Sequence, residues 1–421
     1  IEAMTKRLIL AFVFLSWHLV ACSNGDSGIS SGLPDKPSAE EDSPGTETIS
    51  EEMRVKITGE DLYISAKLDA KTDILYWFKK CMFNELFTFY RVGTIDNNMP
   101  TPATLPDASP TSLLNLAYSD NIGPFNITGY GWCGGNHPYL DEVTQTARNI
   151  GYRIYIDGKE IKTDLSTLTK EIKIEVINEI MNPSKADTSS GKTLLNEILC
   201  IETVNYSIYR NNIQVLVTHE FQNESPVTVQ MYYGMQSMFD KETHTLTANG
   251  KYVDWTVQKD VSTFTKKEYP SFRRFIEKSA NAYQSSYLFA DGLGNHEEIS
   301  DDDIIFIGNS SNKTYHKIIA DREHKKGDII HWSGVYTWFK SPVSDDDDLL
   351  CYEGVIDNKK VLFIDCKKSV DRTIQLPVDY TKKSFTIIEK SKSITITGNK
   401  VTAKGLRIVS DGSGSCVITF D

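Results

Sequence analysis

The sequence predicts a mostly β fold, and three observations carry that prediction. Apolar and polar residues alternate with period two over segments such as residues 53–58 and 171–177, as they do in half-buried strands. Clusters of Asn, Gly, Asp and Ser, which are typical of turns, separate these segments from one another. Helical periodicity is scarce, and its best candidate is the short segment 271–281. A parallel α/β sheet is therefore not expected.

Two stretches of strands predict two β-domains. The first stretch, residues 51–345, has long alternating segments and predicts a large antiparallel β-sandwich. After the acidic run 345–348, short strands recur at the spacing of a small β-sandwich, which we assign to residues 346–421. The acidic run predicts a solvated linker edge, with a calcium loop as the alternative. In chain order the predicted strands are residues 53–58, 61–68, 152–157, 171–177, 213–221, 227–233, 252–257, 329–339, 361–365, 385–388, 394–397 and 416–420.

The N-terminus has the pattern of an export signal that ends in a lipidation site. A short basic segment and an apolar run are followed by Leu19-Val20-Ala21-Cys22, which matches the bacterial lipobox. We expect a signal peptide over residues 1–21, with residues 1–3 as upstream sequence, and lipid on Cys22 that anchors the protein to a membrane. The alternative is an uncleaved membrane helix, or an ordinary secretory signal that ends in Cys.

The segment after the lipidation site predicts a tether. Residues 22–50 are dominated by Ser, Gly, Asp, Glu and Pro, which do not bury enough apolar surface to order a chain. Ser23, not Asp, follows the lipidated Cys, so the outer membrane is favoured over retention at the inner membrane. The arrangement resembles surface-exposed outer-membrane lipoproteins of Bacteroides-like bacteria, which often display glycan-handling proteins.

The charge balance argues against a nucleic-acid partner. The chain of 421 residues has 45 Lys and Arg against 57 Asp and Glu, a formal net charge of −12, whereas nucleic-acid-binding domains carry a basic footprint. The sequence contains no P-loop, no Gly-x-Ser-x-Gly elbow and no Rossmann glycine run. No cofactor is expected, and a calcium site among the acids of residues 291–303 is only a minor alternative.

Cysteine usage favours buried free thiols over a disulfide framework. An exported chain permits disulfides, but none of the cysteines forms C-x-x-C, and sequence does not choose among their pairings. If one pair exists, Cys351 with Cys366 is the simplest, because a hairpin could join them. The sequence leaves the oligomeric state open. The cysteines beyond Cys22 are Cys81, Cys133, Cys200, Cys351, Cys366 and Cys416.

The strand-rich middle of the chain resembles the galactose-mutarotase-like supersandwich of mutarotases and of several polysaccharide lyases and glycoside hydrolases. The resemblance rests on residues 213–239, where a turn over residues 221–226 joins two long strands. It implies a large antiparallel sandwich and an extracellular glycan as the partner. The mutarotase pattern of two His and a distant Glu has no residue-by-residue counterpart here, so we carry over no catalytic role.

The segment 130–139 predicts a turn that presents side chains to a ligand. Adjacent Gly134 and Gly135 permit backbone angles that other residues avoid, so Asn136 and His137 can project from a tight turn. His137 could act as an acid or base near neutral pH. The alternative is a structural turn in which Asn136 and His137 cap backbone groups while the aromatic residues pack.

Further residues complete this candidate site. Arg148 could supply charge for a substrate carboxylate. Trp132 and Tyr139, together with Tyr130, could offer ring faces for sugar stacking. The site would then bind an acidic sugar next to an acid/base His.

A second candidate cluster combines His219 with the next predicted strand. Alternation places His219 and Glu220 on opposite faces, so only one of them can point into a cleft. If strands 213–221 and 227–233 pair as a hairpin, His219 meets Tyr232 or Tyr233 near Gln236, and Arg148 could neutralise a uronate carboxylate. A polysaccharide lyase uses a His and Tyr pair of this kind to remove and return a proton beside a uronate carboxylate. The alternative is an ordinary strand His bonded to a backbone carbonyl.

The segment 329–339 places aromatic residues at alternating positions. Trp332, Tyr336 and Trp338 share one face of an unbroken strand, which is either a core seam or a sugar platform. We favour the core seam and keep Trp332 as a substrate-binding candidate.

Three functions stay open at this point. The first is a surface-tethered enzyme, a polysaccharide lyase or glycoside hydrolase, that cleaves an acidic extracellular polysaccharide with His137 or His219, Tyr232 and Arg148 converging in one cleft. The second is a glycan-binding lipoprotein without acid/base chemistry. The third is an envelope or adhesion scaffold, because fold resemblance alone does not fix function.

Overall fold

The computed structural model describes residues 49–105, 112–116, 122–238, 244–247, 252–254, 262–264, 274–278, 282–289, 305–308 and 313–421. These residues form strands and two 3₁₀ turns, Pro183–Lys185 and Val378–Tyr380, and they contain no α-helix. None of their elements is a helix with the length and apolar character needed to cross a membrane. The predicted signal, Cys22 and most of the tether lie outside the described residues.

In chain order the strands are β1 Met53–Thr58, β2 Asp61–Lys67, β3 Thr72–Cys81, β4 Leu86–Asp96, β5 Ser112–Leu116, β6 Phe125–Ile127, β7 Gly131–Cys133, β8 Ala147–Ile156, β9 Lys159–Ile161, β10 Leu165–Thr169, β11 Ile172–Met181, β12 Ala186–Asp187, β13 Leu194–Leu195, β14 Ile198–Tyr209, β15 Asn212–Phe221, β16 Val227–Met238, β17 His244–Thr247, β18 Tyr252–Asp254, β19 Ser262–Phe264, β20 Arg274–Lys278, β21 Tyr283–Leu288, β22 Ile305–Gly308, β23 Lys313–His324, β24 Ile329–Phe339, β25 Ser344–Asp345, β26 Leu349–Ile356, β27 Lys359–Cys366, β28 Val370–Ile374, β29 Phe385–Lys390, β30 Ile394–Ile396, β31 Leu406–Ser410 and β32 Gly414–Phe420.

The strands form antiparallel sheets, as predicted. A six-stranded N-terminal sheet has the order β10-β1-β2-β3-β4-β5, and a ten-stranded long sheet has the order β18-β17-β20-β21-β24-β15-β14-β11-β8-β9. A six-stranded middle sheet has the order β19-β22-β23-β16-β6-β7. The C-terminal strands form a five-stranded sheet, β25-β26-β27-β32-β29, and a three-stranded sheet, β28-β31-β30, while β12 and β13 make a separate small hairpin.

One apolar core lies between the long sheet and the two six-stranded sheets. Phe78 of the N-terminal sheet packs edge-on against Tyr206 of the long sheet, with ring centroids 5.4 Å apart. In the middle sheet, Phe125 makes a similar contact to His219 at 4.8 Å. The alternating residues of β1, β2, β11 and β14 that point into this space are fully buried. The prediction of a large β-sandwich is thereby confirmed.

The C-terminal five-stranded sheet is buried on both of its faces. One face packs on the three-stranded sheet, with Ile364 and Ile408 in their common core. The other face packs on the long sheet, where Tyr352 and Phe363 meet Phe339. The buried Arg274 of β20 pairs with Asp365 of β27 across the same interface. The C-terminal sandwich therefore shares a core with the long sheet.

The predicted helix over residues 271–281 is wrong for its described part, which is strand β20. Phe275 stacks on His316 of the middle sheet, at a centroid distance of 4.8 Å. Ile276 belongs to the core shared with the C-terminal sheet. Because this strand is covered on both faces, its apolar residues are consecutive, and consecutive apolar residues do not distinguish a buried strand from a helix.

The predicted hairpin of residues 213–221 with 227–233 is also wrong. Strand β15 pairs with β14 and β24 in the long sheet, whereas β16 pairs with β23 and β6 in the middle sheet. The turn between the two strands therefore crosses from one layer of the sandwich to the other. His219 and Tyr232 still meet, with ring centroids 5.1 Å apart, but they meet across the core and not within one sheet.

The six described cysteines are buried, and none of them forms a disulfide. Strands β26 and β27 do form the hairpin that joins Cys351 and Cys366, but Cys351 lies opposite Ile364 and Cys366 lies opposite Leu349. The two thiols are thus diagonal neighbours, not a directly opposed pair. Both belong to the C-terminal core, together with Cys416.

The acidic run 345–348 lies at the surface, as predicted for a solvated edge, but ion pairs occupy it. Asp345 pairs with Lys278 at 3.2 Å and Asp346 pairs with Arg372 at 2.7 Å. Asp348 pairs with Lys368 at 2.7 Å. The run therefore links β20 to the C-terminal sandwich through exposed and half-exposed charges.

A fully buried ion pair fixes the loop that covers one end of the N-terminal sheet. Lys67 and Asp73 are 0% exposed, and their charged atoms lie 2.7 Å apart. The second carboxylate oxygen of Asp73 accepts hydrogen bonds from the side chain of Asn97 at 2.7 Å and from the backbone N–H of Ala103 at 2.6 Å. The ammonium of Lys67 also donates to the carbonyl of Asn97 at 2.7 Å.

Lys67→Ala should lower the free energy of unfolding by about 3–5 kcal/mol, because it leaves the Asp73 carboxylate buried without its cation. Urea denaturation of the purified protein measures this loss. Lys80→Ala is the matched control in the same sheet, since Lys80 pairs with Glu60 at the surface, and its cost should stay below about 1 kcal/mol. Equal losses in the two variants would contradict the assigned role of the buried pair.

Candidate functional site

The predicted turn around Gly134 and Gly135 exists, and both glycines use the left-handed backbone region, with φ of +77° and +48°. The turn follows the short strand β7 and leaves Asn136 and His137 half-buried at the rim of the sandwich. The backbone N–H of His137 closes the turn on the carbonyl of Gly134 at 3.1 Å. The glycine pattern therefore predicted the local geometry correctly.

Asn84, in the turn between β3 and β4, holds this segment in place. Its buried side chain donates to the carbonyl oxygens of Gly135, at 2.8 Å, and His137, at 3.1 Å. Its Oδ1 accepts from the backbone N–H of Thr146 at 3.1 Å. Asn136 in turn accepts from the backbone N–H of Phe83 at 2.7 Å. These contacts are the ones expected of a structural turn.

The aromatic residues of the same segment pack on one another. The rings of Trp132 and His137 stack with centroids 5.3 Å apart, and Trp132 also stacks with Tyr233 at 6.1 Å. Tyr139 is half-buried, whereas Tyr130 is 43% exposed. An acid/base or sugar-binding role of this segment stays a prediction, and the rings of Trp132 and His137 are engaged in these contacts.

Arg148 does not join the His219 cluster. In the long sheet, Arg148 on β8 lies opposite Glu179 on β11, and the two side chains form an ion pair. The next position along β8, Asn149, lies in register with Asn178 on β11. Because side chains alternate between the faces of a sheet, Arg148 and His219 lie on opposite faces of the long sheet. The expectation that they converge in one cleft is therefore corrected.

His219 ends a row of buried polar side chains that crosses four neighbouring strands. Asn149 donates to Asn178 at 3.0 Å, and Asn178 donates to Glu202 at 2.9 Å. The other carboxylate oxygen of Glu202 lies 2.9 Å from Nε2 of His219. His219 is 0% exposed, and only Asn149 at the far end of the row is half-buried. The row joins its members by hydrogen bonds, whereas Nδ1 of His219 is buried without a hydrogen-bond partner among the described residues. Because His219 is fully buried, a polymer could not reach it.

Three other predicted site residues, Tyr232, Trp332 and Gln236, also lie in the core. Tyr232 is fully buried, and its hydroxyl donates to the carbonyl of Ile122 at 2.8 Å and accepts from the indole of Trp332 at 2.9 Å. Burial raises the pKa of the Tyr232 hydroxyl well above its ordinary value. Trp332 is 1% exposed and Gln236 is 4% exposed. The prediction of a core seam is confirmed for Trp332, and a sugar platform at Trp332 is excluded because no ring face reaches solvent.

A buried carboxyl group lies on the inner face of β20. Glu277 is 3% exposed and accepts a hydrogen bond from Thr314 of the middle sheet at 2.8 Å, while its second carboxyl oxygen has no hydrogen-bond partner. Burial raises the pKa of Glu277 to about 8, and the bond from Thr314 offsets only part of that effect. Glu277 is therefore largely protonated in the folded protein at neutral pH.

Metal-ligand spacing is not found in the parts of the chain that the structure describes. No group of three His, Cys, Asp or Glu side chains there comes together as a site. The calcium alternative in residues 291–303 lies outside the described residues.

The outer face of the N-terminal sheet carries an aromatic and cationic surface that the sequence reasoning missed. We call it the aromatic strip and define it as Tyr63, Trp77, Lys79, Tyr90 and Arg91. All five side chains are half-buried, whereas their neighbours Leu62, Tyr76, Phe78, Phe89 and Val92 point into the core and are fully buried. The strip therefore lies on the face turned away from the core.

The rings of the strip are held in a fixed arrangement. Tyr63 and Trp77 stack across β2 and β3 with centroids 5.4 Å apart, and Tyr90 meets Trp77 edge-on at 5.2 Å. The indole N–H of Trp77 donates to Asp61 at 2.8 Å. The ammonium of Lys79 lies 4.3 Å from the Trp77 ring and 4.2 Å from the Tyr90 ring. These are cation–π distances.

A β-bulge explains why two consecutive residues of β4 belong to the strip. Trp77 lies opposite Arg91 and Phe78 lies opposite Phe89, so Tyr90 is an extra residue in the ladder. Because a bulge shifts the alternation of side chains, both Tyr90 and Arg91 point outward. The one sequence signal for the strip was the alternation in 61–68, which places Tyr63 on the polar face.

Comparisons with known proteins give a partial likeness only. No protein-family model and no curated protein matches the chain. Among solved structures, it is similar to a GH36 alpha-galactosidase from Geobacillus stearothermophilus at 8% identity, with 69% of this chain and 41% of that chain covered and a TM-score of 0.38. A glycoside hydrolase family 97 enzyme from a Pseudoalteromonas strain matches at 6% identity, covering 70% and 37%, with a TM-score of 0.35.

A polysaccharide lyase matches at 6% identity, with 81% of this chain and 46% of that chain covered and a TM-score of 0.27. The chain thus spans less than half the length of each of these three enzymes. At these scores the likeness assigns neither a family nor an activity.

Glu277→Gln should stabilise the protein more at pH 8 than at pH 5. The folded state keeps a proton on Glu277 up to about pH 8, whereas the unfolded chain releases it near the ordinary carboxyl value of 4.5. Stability is therefore lost as pH rises through this window, and the neutral Gln removes that loss while its side-chain oxygen can still accept from Thr314. Thermal unfolding of both proteins across this pH range measures the difference. A gain of equal size at both pH values would refute the buried protonated carboxyl.

Proposed function

We propose that the protein binds extracellular glycans without cleaving them, and that it does so through the aromatic strip. The single observation that supports this proposal is an outward-facing set of three aromatic rings with two cations on a rigid sheet. Aromatic faces and edges provide apolar contact to the C–H groups of sugar rings, and residues on a sheet are held more precisely than residues on loops.

The flanking charges favour an acidic glycan. Lys79 and Arg91 lie within the strip, and Lys56 on β1 lies next to Tyr63 in the sheet register. The carboxylate of Asp61 also lies at this surface, and it accepts a hydrogen bond from the indole N–H of Trp77. Guanidinium and ammonium groups beside aromatic rings match a uronate, which presents a carboxylate next to an apolar ring face.

The placement of the acid/base candidates weighs against cleavage by His219 and Tyr232. Both side chains are fully buried, and Arg148 faces the other side of the long sheet. Proton transfer to a polymer requires hydrogen-bond reach to the reacting carbon or its substituents, which buried groups do not have. His137 is half-buried and remains a candidate acid or base, so the binding experiment also monitors cleavage of the glycan.

We further propose that the protein is an exported lipoprotein held at the outer surface of a bacterium by lipid on Cys22. The lipobox sequence and the Ser-rich, Pro-containing segment after it support this proposal. A tethered glycan-binding protein would retain polysaccharide close to the cell. Globomycin-sensitive processing and radiolabelled palmitate on the wild-type chain, absent in Cys22→Ala, would test the anchor.

Trp77→Ala should weaken glycan binding at least about tenfold, because truncating a central aromatic anchor removes the largest contact of the surface. Affinity electrophoresis of the purified protein through gels that contain polygalacturonate, alginate or dextran measures retardation. Lys79→Ala should reduce retardation by the two uronate polymers, most strongly at low salt, and leave retardation by neutral dextran unchanged.

Tyr155→Ala is the matched control, since Tyr155 is a half-buried aromatic residue outside the strip and outside the turn around Gly134. The retardation of this variant should equal that of the parent. Melting curves of all variants confirm that each is folded. Unsaturated uronate or new reducing ends in the same samples would establish cleavage and overturn the non-catalytic proposal. Equal retardation of the parent and Trp77→Ala would remove the strip as the binding surface.

A further inference from the structure

A small cavity of about 160 Å³ lies where the large sandwich meets the C-terminal sandwich. The turn between β14 and β15 contributes Arg210 and Asn211, and the turn after β2 contributes Asp69. Lys340, just after β24, lines the cavity from a third side, and Glu353 of β26 lines it from the C-terminal sandwich. Lys360 and Tyr380 also line the cavity, so six separate chain segments converge on this space, and none of its lining residues belongs to the aromatic strip.

Arg210 is the cation of the cavity whose charge is not balanced by an ion pair. Its guanidinium makes no hydrogen bond or ion pair with the described residues, and its Nε is buried without a hydrogen-bond partner. Lys340, in contrast, pairs with Asp69 at 3.2 Å, and Lys360 at the cavity edge pairs with Glu51 at 3.4 Å. A buried guanidinium N–H with no acceptor is costly, so an anionic acceptor would be stabilising at this position.

The backbone of Arg210 supports the same interpretation. Its φ is +50°, a left-handed angle that Gly, Asn or Asp adopt more readily than Arg. Neighbouring residues hold this conformation, because its N–H contacts the sulfur of Met53 at 3.1 Å and its carbonyl accepts from the hydroxyl of Tyr76 at 2.9 Å. The backbone at position 210 would suit glycine better than Arg. The presence of Arg there is explained if its side chain binds a ligand.

The remaining polar groups of the cavity suit hydroxyl groups. Glu353 accepts a hydrogen bond from Tyr380 and has a second carboxylate oxygen, and Ser341 adds a hydroxyl on the rim. Asp69 is neutralised by Lys340 and keeps further acceptor capacity. A ligand with only a negative charge would make no contact with the second Glu353 oxygen or the Ser341 hydroxyl, whereas a hydroxylated carboxylate would contact both Arg210 and these groups.

We propose that this cavity binds a small hydroxylated carboxylate of the sugar-acid class, with the carboxylate on Arg210 and the hydroxyls towards Asp69 and Glu353. Guanidinium and carboxylate match in geometry and form paired, charge-assisted hydrogen bonds. The site is independent of the proposed glycan surface. Because it takes a small molecule and not a polymer, the failure of one proposal leaves the other intact.

Isothermal titration of the purified full-length protein with D-glucuronate tests the site, with D-glucose, acetate and inorganic phosphate as comparison ligands. Glucuronate should bind at least about tenfold more tightly than glucose, which lacks the carboxylate, and than acetate, which lacks the hydroxyls. Arg210→Gln and Arg210→Gly should each weaken glucuronate binding at least about tenfold. Arg407→Gln, at an exposed ion pair with Asp371 in the C-terminal sandwich, should leave the affinity unchanged.

Arg210→Gly tests whether the protein can lose the ligand while it remains folded. Glycine accepts a φ of +50°, so this variant should keep a melting temperature within about 3 °C of the parent while it loses the ligand. Trp77→Ala should retain glucuronate binding, which distinguishes this site from the aromatic strip. The proposal is overturned if the parent binds glucuronate no better than glucose, if phosphate alone binds, or if Arg210→Gly binds glucuronate like the parent.

Discussion

Burial of β20, β21 and β24 of the long sheet on both faces is the constraint on which the rest of the molecule depends. Along β24 the even-numbered residues, among them Trp332 and Trp338, face the core shared with the two six-stranded sheets. The odd-numbered Val335 and Phe339 face the C-terminal five-stranded sheet. The start of this strand is exposed on one side, whereas from Val335 onward both faces are covered. The C-terminal sandwich is therefore part of the packing of the long sheet, and it also closes one side of the Arg210 cavity.

Buried polar groups specify how these layers meet. An apolar interface tolerates small shifts, but a buried hydrogen-bonded charge is satisfied in only one arrangement, because a misplaced partner leaves it unpaired at high cost. Arg274 with Asp365 fixes the long sheet against the C-terminal sheet, and Lys67 with Asp73 fixes the loop over the N-terminal sheet. The row from Asn149 to His219 does the same for four strands of the long sheet, whose register aligns every member.

The sequence predicted the β class and the glycine turn, because each depends on local alternation or local backbone freedom. Predictions from the sequence failed where contacts between distant strands determine the structure. Phe275 and Ile276 gave a helical pattern because the two faces of β20 are buried by different sheets. Residues 213–221 and 227–233 looked like a hairpin because sequence does not reveal that the turn changes layers. The outward orientation of Tyr90 was not predicted, because a β-bulge breaks the alternation of side chains in this strand.

The two proposed ligand sites differ in shape, and this difference follows from the layers that form them. The aromatic strip lies on the outer face of the N-terminal sheet, where neighbouring strands present half-buried rings and cations that an extended polymer can follow. A small apolar cluster of Leu75, Ile95 and Leu105 adjoins the strip on this face, and Tyr63 packs against it. The Arg210 cavity lies at a junction of turns, where segments from two sandwiches line a small volume and the Nε of Arg210 is buried without a hydrogen-bond partner. Open faces suit chains and enclosed junctions suit single small molecules, because an enclosed site buries most of its ligand's surface. The two proposals therefore concern ligands of different size, whereas His219 and Tyr232 are buried in the core.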